Sequence, residues 1–212
     1  MSQEITKRIL SSIIIIAIAL FFIIKGSFFY IFFLSVFFFI TSFEWYKMTK
    51  NNNFFLFGLT FLILSFLSAY LLRNIFLYDF ILVILICVSS DVGGFVFGKI
   101  FKGPKLSKIS PNKTYSGMIG SFFLSIIFAL LYTNYYGLIF WTDDLLLITV
   151  ILISSVSQIG DLTVSYFKRM SKIKHTGKIL PGHGGLLDRI DGMIFAFPFS
   201  YIILKINIFQ YF

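Results

Sequence analysis

The chain has 212 residues, of which 58% are hydrophobic, 20% aromatic and only 13% charged, and its mean hydropathy is +0.93. Soluble domains carry about 25% charged residues, so this composition excludes an ordinary soluble protein and predicts a single membrane-embedded domain over 1–212. A net charge of +9 would suggest nucleic acid as the partner of a soluble protein, but cytoplasmic loops of membrane proteins also collect Lys and Arg, and we expect no nucleic-acid partner.

Seven apolar segments approach or reach the roughly 20 residues that a bilayer span needs. They predict an all-α fold, a polytopic transmembrane helical bundle, with N-terminal spans in 1–74 and, in 75–212, the helices and basic loops that contain the candidate site residues described below. The first segment ends in Lys25-Gly26-Ser27 without a cleavage pattern of small residues, so we expect a retained helix and not a signal peptide. The predicted spans are 9–25, 28–44, 54–72, 75–98, 117–133, 145–167 and 191–209.

The basic residues indicate how these spans are oriented. With a cytoplasmic N-terminus, 15 of the 18 Lys and Arg residues fall in inner segments, as the positive-inside rule requires. The exceptions are Lys25, Arg73 and Lys205, and the longest outer loop, 134–144, holds two acids and no base. The sequence therefore predicts an outer C-terminus and a multi-pass protein.

Carboxylates lie at the predicted cytoplasmic ends of three spans. Asp91 and Asp161 end spans four and six, and Asp188 and Asp191 come where span seven begins. Charged groups in a membrane are costly and usually line a cavity or a pathway. Any one of these acids alone is more simply a helix cap or an ion-pair partner. The whole set, beside basic loops, indicates phosphoryl or nucleotidyl transfer, because carboxylates bind hard cations and Lys and Arg bind phosphates.

The first basic loop contains a turn of hydroxyl and amine side chains, Ser110-Pro111-Asn112-Lys113-Thr114-Tyr115-Ser116-Gly117. Its lysine and hydroxyl groups can donate hydrogen bonds to phosphate oxygens. The N-terminal amides of the following helix also favour an anion. By itself such a turn is weak evidence, since most are ordinary loops.

The second basic segment is more specific. It reads Ser165-Tyr166-Phe167-Lys168-Arg169, Lys174-His175-Thr176-Gly177 and Leu180-Pro181-Gly182-His183-Gly184-Gly185-Leu186-Leu187-Asp188-Arg189-Ile190-Asp191. Three glycines around His183 allow the backbone to approach a ligand closely, although such loops are often plain flexible turns. Asp161 and Ser165 lie one helical turn apart, and Asp188 and Asp191 share a face if helical. A metal could therefore be held between two helix ends.

This stretch resembles the signature of the bacterial phosphatidate cytidylyltransferase (CDP-diacylglycerol synthase) family, which runs Ser-x-x-Lys-Arg, Lys-Asp, Pro-Gly-His-Gly-Gly and Asp-Arg-x-Asp. The Ser110–Thr114 turn and the block Gln158-Ile159-Gly160-Asp161 look like two further family motifs, and the matches together cover 89–192. Two departures each remove a carboxylate. His175 replaces the usual Asp, and Val164 replaces a frequent Glu.

The resemblance implies an enzyme of the bacterial inner (cytoplasmic) membrane that joins CTP and phosphatidic acid to give CDP-diacylglycerol and pyrophosphate with Mg²⁺. A second cation and a homodimer are left open. The active site is expected at the cytoplasmic ends of the C-terminal helices. The implied catalytic residues are Asp161, Lys168, Arg169, His183, Asp188, Arg189 and Asp191. The implied substrate-binding residues are Ser110, Asn112, Lys113, Thr114, Gly184 and Gly185, and the implied metal ligands are Asp161, Ser165 and Asp188.

Two other functions fit the composition. A transporter with intramembrane carboxylates would place its acids near mid-span and would have little need for a glycine–histidine loop. A CDP-alcohol phosphotransferase needs an Asp-Gly-x-x-Ala-Arg block, which fails here because Asp191-Gly192 is followed by Met-Ile-Phe-Ala-Phe. The transporter therefore stays as the alternative.

Overall fold

The computed structural model of the chain describes residues 17–50, 54–107, 110, 113–136, 143–179 and 184–209. Regular structure in these residues is helical, with a short β-bridge that pairs Lys105 with Thr114. The all-α prediction is confirmed for this part of the chain. The helices are α1 (17–25), α2 (Ser27–Thr49), α3 (Phe55–Ile75), α4 (Leu77–Phe101), α5 (Tyr115–Tyr136), α6 (Asp143–Met170), α7 (Leu187–Ile190) and α8 (Met193–Phe209).

Five of the helices, α2 to α6, are long and apolar enough to cross a membrane, and α8 contains a shorter apolar stretch, Met193–Ile206. Large apolar side chains such as Phe28, Phe39 and Leu56 point outward, as lipid-facing residues do. The chain is therefore a multi-pass membrane protein. The predicted first span, 9–25, lies partly outside the described residues, and the predicted seventh span begins two residues later than expected, after the separate short helix α7.

The chain reverses direction between α1 and α2. Gly26 has φ +67°, a conformation that favours glycine, and the rings of Phe22 and Phe33 stack with their centroids 5.3 Å apart. In one continuous helix those 11 residues would span about 16 Å. The Lys25-Gly26-Ser27 separator is thus a true break between two helices. Arg73 of α3 secures it by donating hydrogen bonds to the carbonyls of Ile23 and Ile24, at 2.9 and 3.2 Å.

Two apolar clusters hold the helices that carry the polar residues. One joins α4, α5, α6 and α8 around Ile86, Ala129 and Val150. The other joins α2, α3, α6, α7 and α8 around Trp45, Met48, Leu62, Val164, Leu187 and Ile194. The second cluster matters for function, because it fixes the short helix α7 against the N-terminal helices α2 and α3.

Pro198 lies inside α8 and has no N–H to give the carbonyl of Ile194, one turn earlier. A backbone carbonyl without a partner is costly in a membrane. Ser65 of α3 supplies the missing donor, since its Oγ lies 2.5 Å from the Ile194 carbonyl oxygen. The proline in α8 and the serine in α3 therefore join these two helices.

Two glycines allow α6 and the start of α8 to meet closely. A side chain on Gly160 would lie 2.9 Å from the Asp191 carbonyl oxygen, and one on Gly192 would lie 2.3 Å from Ser157 Oγ. Both contacts are shorter than real side chains allow. The close approach places Asp161, the residue after Gly160, near Asp191.

Candidate active site

A cavity of about 450 Å³ lies where α4, α6 and α7 meet the basic loop before α5. Four carboxylates from three elements line it together with five basic side chains and His175. The carboxylates are those of Asp91, Asp161, Asp188 and Asp191, and the basic residues are Lys113, Lys168, Arg169, Lys174 and Arg189. The structure thus brings both basic segments of the sequence to one site.

On one side of the cavity, Asp161 of α6 pairs with Lys113 of the first basic loop. Lys113 Nζ lies 2.5 Å from Asp161 Oδ2, and the two side chains remain 25% and 29% exposed. Ser165 Oγ, one turn further along α6, donates to Asp161 Oδ1 at 3.3 Å. The i, i+4 relation of Asp161 and Ser165 is confirmed, and the acid remains accessible from the cavity.

On the other side, Lys168 of α6 lies between Asp188 and Asp191. Its Nζ is 2.9 Å from Asp188 Oδ1 and 3.8 Å from Asp191 Oδ2. All three side chains are nearly buried, with 11%, 6% and 10% of their surfaces exposed. The shared face of Asp188 and Asp191 is confirmed, and Lys168 is the cation that both of them face.

Backbone amides hold the second oxygen of Asp188. Oδ2 accepts hydrogen bonds from the N–H groups of Thr176 and Gly185, at 2.9 and 3.1 Å. Burial alone would raise the pKa of Asp188, but the hydrogen bond from Lys168, the two amides and the Lys168 charge outweigh it. The net result is that the pKa of Asp188 lies below its usual value. Asp188 is therefore an ionised carboxylate held by three donors.

The start of α5 is capped by side-chain hydrogen bonds. Thr114 Oγ1 accepts the N–H of Gly117 at 3.1 Å and lies 3.0 Å from Ser116 Oγ, which is the usual arrangement of a helix N-cap. The anion expected at these N-terminal amides would therefore have to compete with the Thr114 cap. Lys113 directly precedes this cap and pairs with Asp161.

The atoms that this site offers as metal ligands suit a hard cation. The described residues contain no group of three or more His, Cys, Asp or Glu side chains placed to hold a metal. Asp161, Asp188 and the Ser165 hydroxyl offer only oxygen atoms, which Mg²⁺ prefers. Each carboxylate oxygen has two lone pairs. Asp188 Oδ1 and the Asp161 carboxylate can therefore accept further bonds beyond those from Lys168, Lys113 and Ser165.

Most predicted site residues line the cavity, namely Ser110, Lys113, Thr114, Asp161, Lys168, Arg169, Asp188, Arg189 and Asp191. Ser165 lies behind Asp161, and Gly185 contributes its amide to Asp188. Gly184 has φ +89° beside His175 and Asp188. Asn112 and His183 lie outside the described residues. Val164, where a Glu is frequent in the family, is buried in the apolar cluster with Leu187.

Three polar residues were missed by the assignment of site residues from sequence. Gln158 lines the cavity one turn before Asp161, and Asp91, grouped with the other acids but given no role, lines it from α4. Glu44 of α2 was overlooked altogether. It is 1% exposed and contacts the segment that holds Asp188. The available signal was an acid in an apolar run, which is costly in a membrane.

Comparisons with known proteins identify the family of the chain. The model of the family described as "Cytidylyltransferase family" matches residues 73–207. A protein of Staphylococcus saprophyticus named phosphatidate cytidylyltransferase is 36% identical over 154 residues, which is 71% of this chain and 58% of that protein. Proteins of the same name from Staphylococcus haemolyticus and Staphylococcus aureus are 38% and 40% identical over 144 residues, 66% of this chain and 54% of theirs. The chain thus spans little more than half the length of these relatives.

Proposed function

Because the chain belongs to the cytidylyltransferase family, we propose that it transfers the cytidylyl group of CTP to phosphatidic acid. The products are CDP-diacylglycerol and pyrophosphate. The relatives from three Staphylococcus species carry the name of this activity, and a multi-pass helical protein suits a lipid substrate.

One observation supports the proposal above the others. Four carboxylates line one cavity at one end of the helices. Five basic side chains, which come from the two basic segments, line the same cavity. A triphosphate and a lipid phosphate together carry several negative charges, which Lys113, Lys168, Arg169 and Arg189 would neutralise. A transporter for cations has no use for such a basic lining, so the cavity favours the enzyme.

In the proposed reaction, a phosphate oxygen of phosphatidate attacks the α-phosphorus of CTP. The new P–O bond forms as the bond to the leaving pyrophosphate breaks. Phosphatidate is ionised at pH 7, so no strong base is required. Transfers of this kind depend on positioning and on charge neutralisation rather than on covalent catalysis. Lys113 and Arg169 would orient the phosphates, and Lys168 would keep Asp188 and Asp191 in place.

Asp161 and Asp188, with Ser165 beside Asp161, are the residues that we propose to hold Mg²⁺. The cation would offset the charge of the phosphate oxygens in the transition state. Asp91 and Asp191 line the same cavity and are the carboxylates available for a second cation. These residues fit the role because their ligand atoms are oxygens. Their lysine partners also leave lone pairs on the carboxylate oxygens that can bind a cation.

We also propose seven spans, a cytoplasmic N-terminus and an inner-membrane location, with the cavity at the cytoplasmic face. The support is the 15-to-3 division of basic residues between the predicted inner and outer segments. Reporter fusions after Lys108 and after Lys178 should both read cytoplasmic. An external reading at either position would overturn this orientation.

The activity is tested with the purified protein in detergent or vesicles, supplied with phosphatidate, Mg²⁺ and CTP labelled in the cytosine ring. Label should enter the lipid extract in proportion to released pyrophosphate, and omission of phosphatidate should stop both. Asp161→Asn should abolish incorporation. Asp144→Asn is the matched control, because Asp144 lies exposed at the opposite end of the same helix. Absence of lipid labelling by the wild-type protein would reject the proposal.

A further inference from the structure

Glu44 is a buried carboxylate of α2, and the hydrogen-bond donors that it meets among the described residues come from the second basic segment. Its Oε2 accepts hydrogen bonds from Thr176 Oγ1 at 2.9 Å and from the Leu187 N–H at 2.8 Å. Its Oε1 accepts the Leu186 N–H at 3.0 Å. Among the described residues no Lys or Arg forms an ion pair with it. A buried carboxylate needs such donors to offset its lost hydration, so Glu44 and this segment depend on each other.

The segment is shaped to admit this carboxylate. A side chain on Gly177 would lie 2.4 Å from Glu44 Oε1, and one on Gly185 would lie 2.6 Å from Glu44 Oε2. Both distances are too short for a real side chain. Two glycines, one on each side of the undescribed residues 180–183, therefore leave the space that Glu44 fills. Glu44 ties together the two arms of the segment, 174–179 and 184–187.

The same backbone also holds Asp188. Thr176 gives its hydroxyl to Glu44 and its N–H to Asp188 Oδ2, and the Gly185 N–H donates to the same oxygen. Leu186 and Leu187, which donate to Glu44, directly precede Asp188. The three donors to Glu44 and the two amide donors to Asp188 therefore form one hydrogen-bonded unit. Displacement of Glu44 would release the amides that orient Asp188.

We propose that Glu44 is a positioning residue for the active site, holding both arms of the 174–187 segment so that Asp188 faces the cavity in one orientation. Glu44 does not line the cavity, and it lies before residues 73–207, which match the family model. The N-terminal helices are thus part of the catalytic unit. The kinetic part of this inference rests on the proposed function, whereas the structural part does not.

The structural part is tested by amide hydrogen exchange on the full chain in detergent, comparing wild type with Glu44→Gln. Glutamine has the same shape but only one acceptor oxygen, so at least one of the two sets of donors loses its partner. Hydrogen bonds to charged groups are among the stronger ones. We expect amides 176, 186 and 187 to exchange at least about tenfold faster. Unchanged exchange at these amides would overturn the proposal.

Thr41→Val is the matched control. Thr41 is buried on the same helix, one turn before Glu44, and its hydroxyl bonds only to carbonyls of α2 itself. This variant should leave exchange in 174–187 unchanged. Equal acceleration in Thr41→Val and Glu44→Gln would mean that any defect in α2 loosens the segment, and would also overturn the proposal.

Kinetics provide the second readout. Because Glu44 does not touch the cavity, Glu44→Gln should lower kcat about tenfold or more while the KM for CTP changes less than threefold. A loss confined to KM would refute a role through Asp188. If the wild-type chain shows no cytidylyl transfer, the proposed function fails, but the exchange experiment still decides whether Glu44 orders the segment.

A second variant, Thr176→Val, tests the same link if Glu44→Gln does not fold. Thr176→Val keeps the Glu44 carboxylate and its two backbone donors, and removes only the Thr176 hydroxyl, which joins Glu44 to the residue whose N–H donates to Asp188. We expect exchange of the Thr176 amide to rise at least about threefold. A folded Thr176→Val protein with wild-type exchange at this amide would overturn the proposed link.

Discussion

The two sides of the cavity hold their key acids in different ways. Asp161 meets one lysine from a loop and one serine from its own helix, and more than a quarter of its side chain is exposed. Asp188 meets a nearly buried lysine and two backbone amides, and only 6% of its side chain is exposed. Both are carboxylates paired with lysine, yet only the Asp188 side is a fixed part of the protein framework.

This difference separates two tasks within one site. The Lys113–Asp161 pair is partly exposed and joins a loop to a helix, so under the proposed function Lys113 could leave Asp161 to bind a substrate phosphate. The Lys168–Asp188–Asp191 group is nearly buried, so removal of Lys168 leaves two acids without the cation that they face. The Asp161 side is suited to respond to the substrate, whereas the Asp188 side is suited to keep its geometry. The following variants test this division.

The largest effect is expected from Asp188→Asn. The variant keeps the size of the side chain but removes its charge. Asparagine has only one acceptor oxygen, so either Lys168 or the Thr176 and Gly185 amides lose their acceptor. Activity should fall below a tenth of wild type, a barrier increase of more than about 1.4 kcal/mol, measured at saturating Mg²⁺ and CTP. A higher residual activity would exclude Asp188 as a principal cation ligand.

The next comparison concerns stability. Lys168→Met leaves Asp188 and Asp191 buried without their cation, which should cost about 3–5 kcal/mol of unfolding free energy. Lys113→Met breaks a partly exposed pair and should cost at most about 1 kcal/mol. Thermal unfolding in detergent measures both. Equal losses of stability in the two variants would contradict the distinction between the two sides of the cavity.

The dependence of thermal stability on acid pH should also report on the Asp188 side of the cavity, with a smaller effect. The pKa of Asp188 is lower in the folded protein than in the unfolded chain, so its stabilising contribution is complete above the unfolded pKa of about 3.9. The contribution is lost as the pH falls through the folded pKa. Thermal stability should therefore decline below about pH 4. Asp188→Asn should show a flatter profile in that range, and identical profiles would argue against the depressed pKa.

The smallest effect is expected at His175, where the chain departs from the family pattern. Its ring is 54% exposed, and Nδ1 lies 3.6 Å from Asp188 Oδ2, too far for a hydrogen bond. The Thr176 and Gly185 amides already hold that oxygen. His175→Asp should keep substantial activity, and His175→Ala should lose far less than Asp188→Asn. An alanine variant as inactive as Asp188→Asn would make His175 part of the catalytic centre.

Local patterns were enough to predict much of the site. Span-length apolar runs predicted the helices, because a membrane requires each backbone polar group to find its partner within the helix. The spacing of Asp161 with Ser165 and of Asp188 with Asp191 predicted shared faces, because the helical repeat is fixed. The family motifs selected the residues that line the cavity. Each of these inferences depends on neighbours within a few residues of one another.

The sequence by itself therefore determined a helical membrane protein with two basic segments and a set of acids near helix ends. Only the tertiary structure decided which charges meet. It paired Lys113 with Asp161 and Lys168 with Asp188, and it brought Glu44 to Thr176, 132 residues away. Such pairings follow from helix packing, from the close approach at Gly160 and Gly192, and from the space left by Gly177 and Gly185. Packing joins residues without regard to their separation in the chain, so no local pattern encodes these contacts.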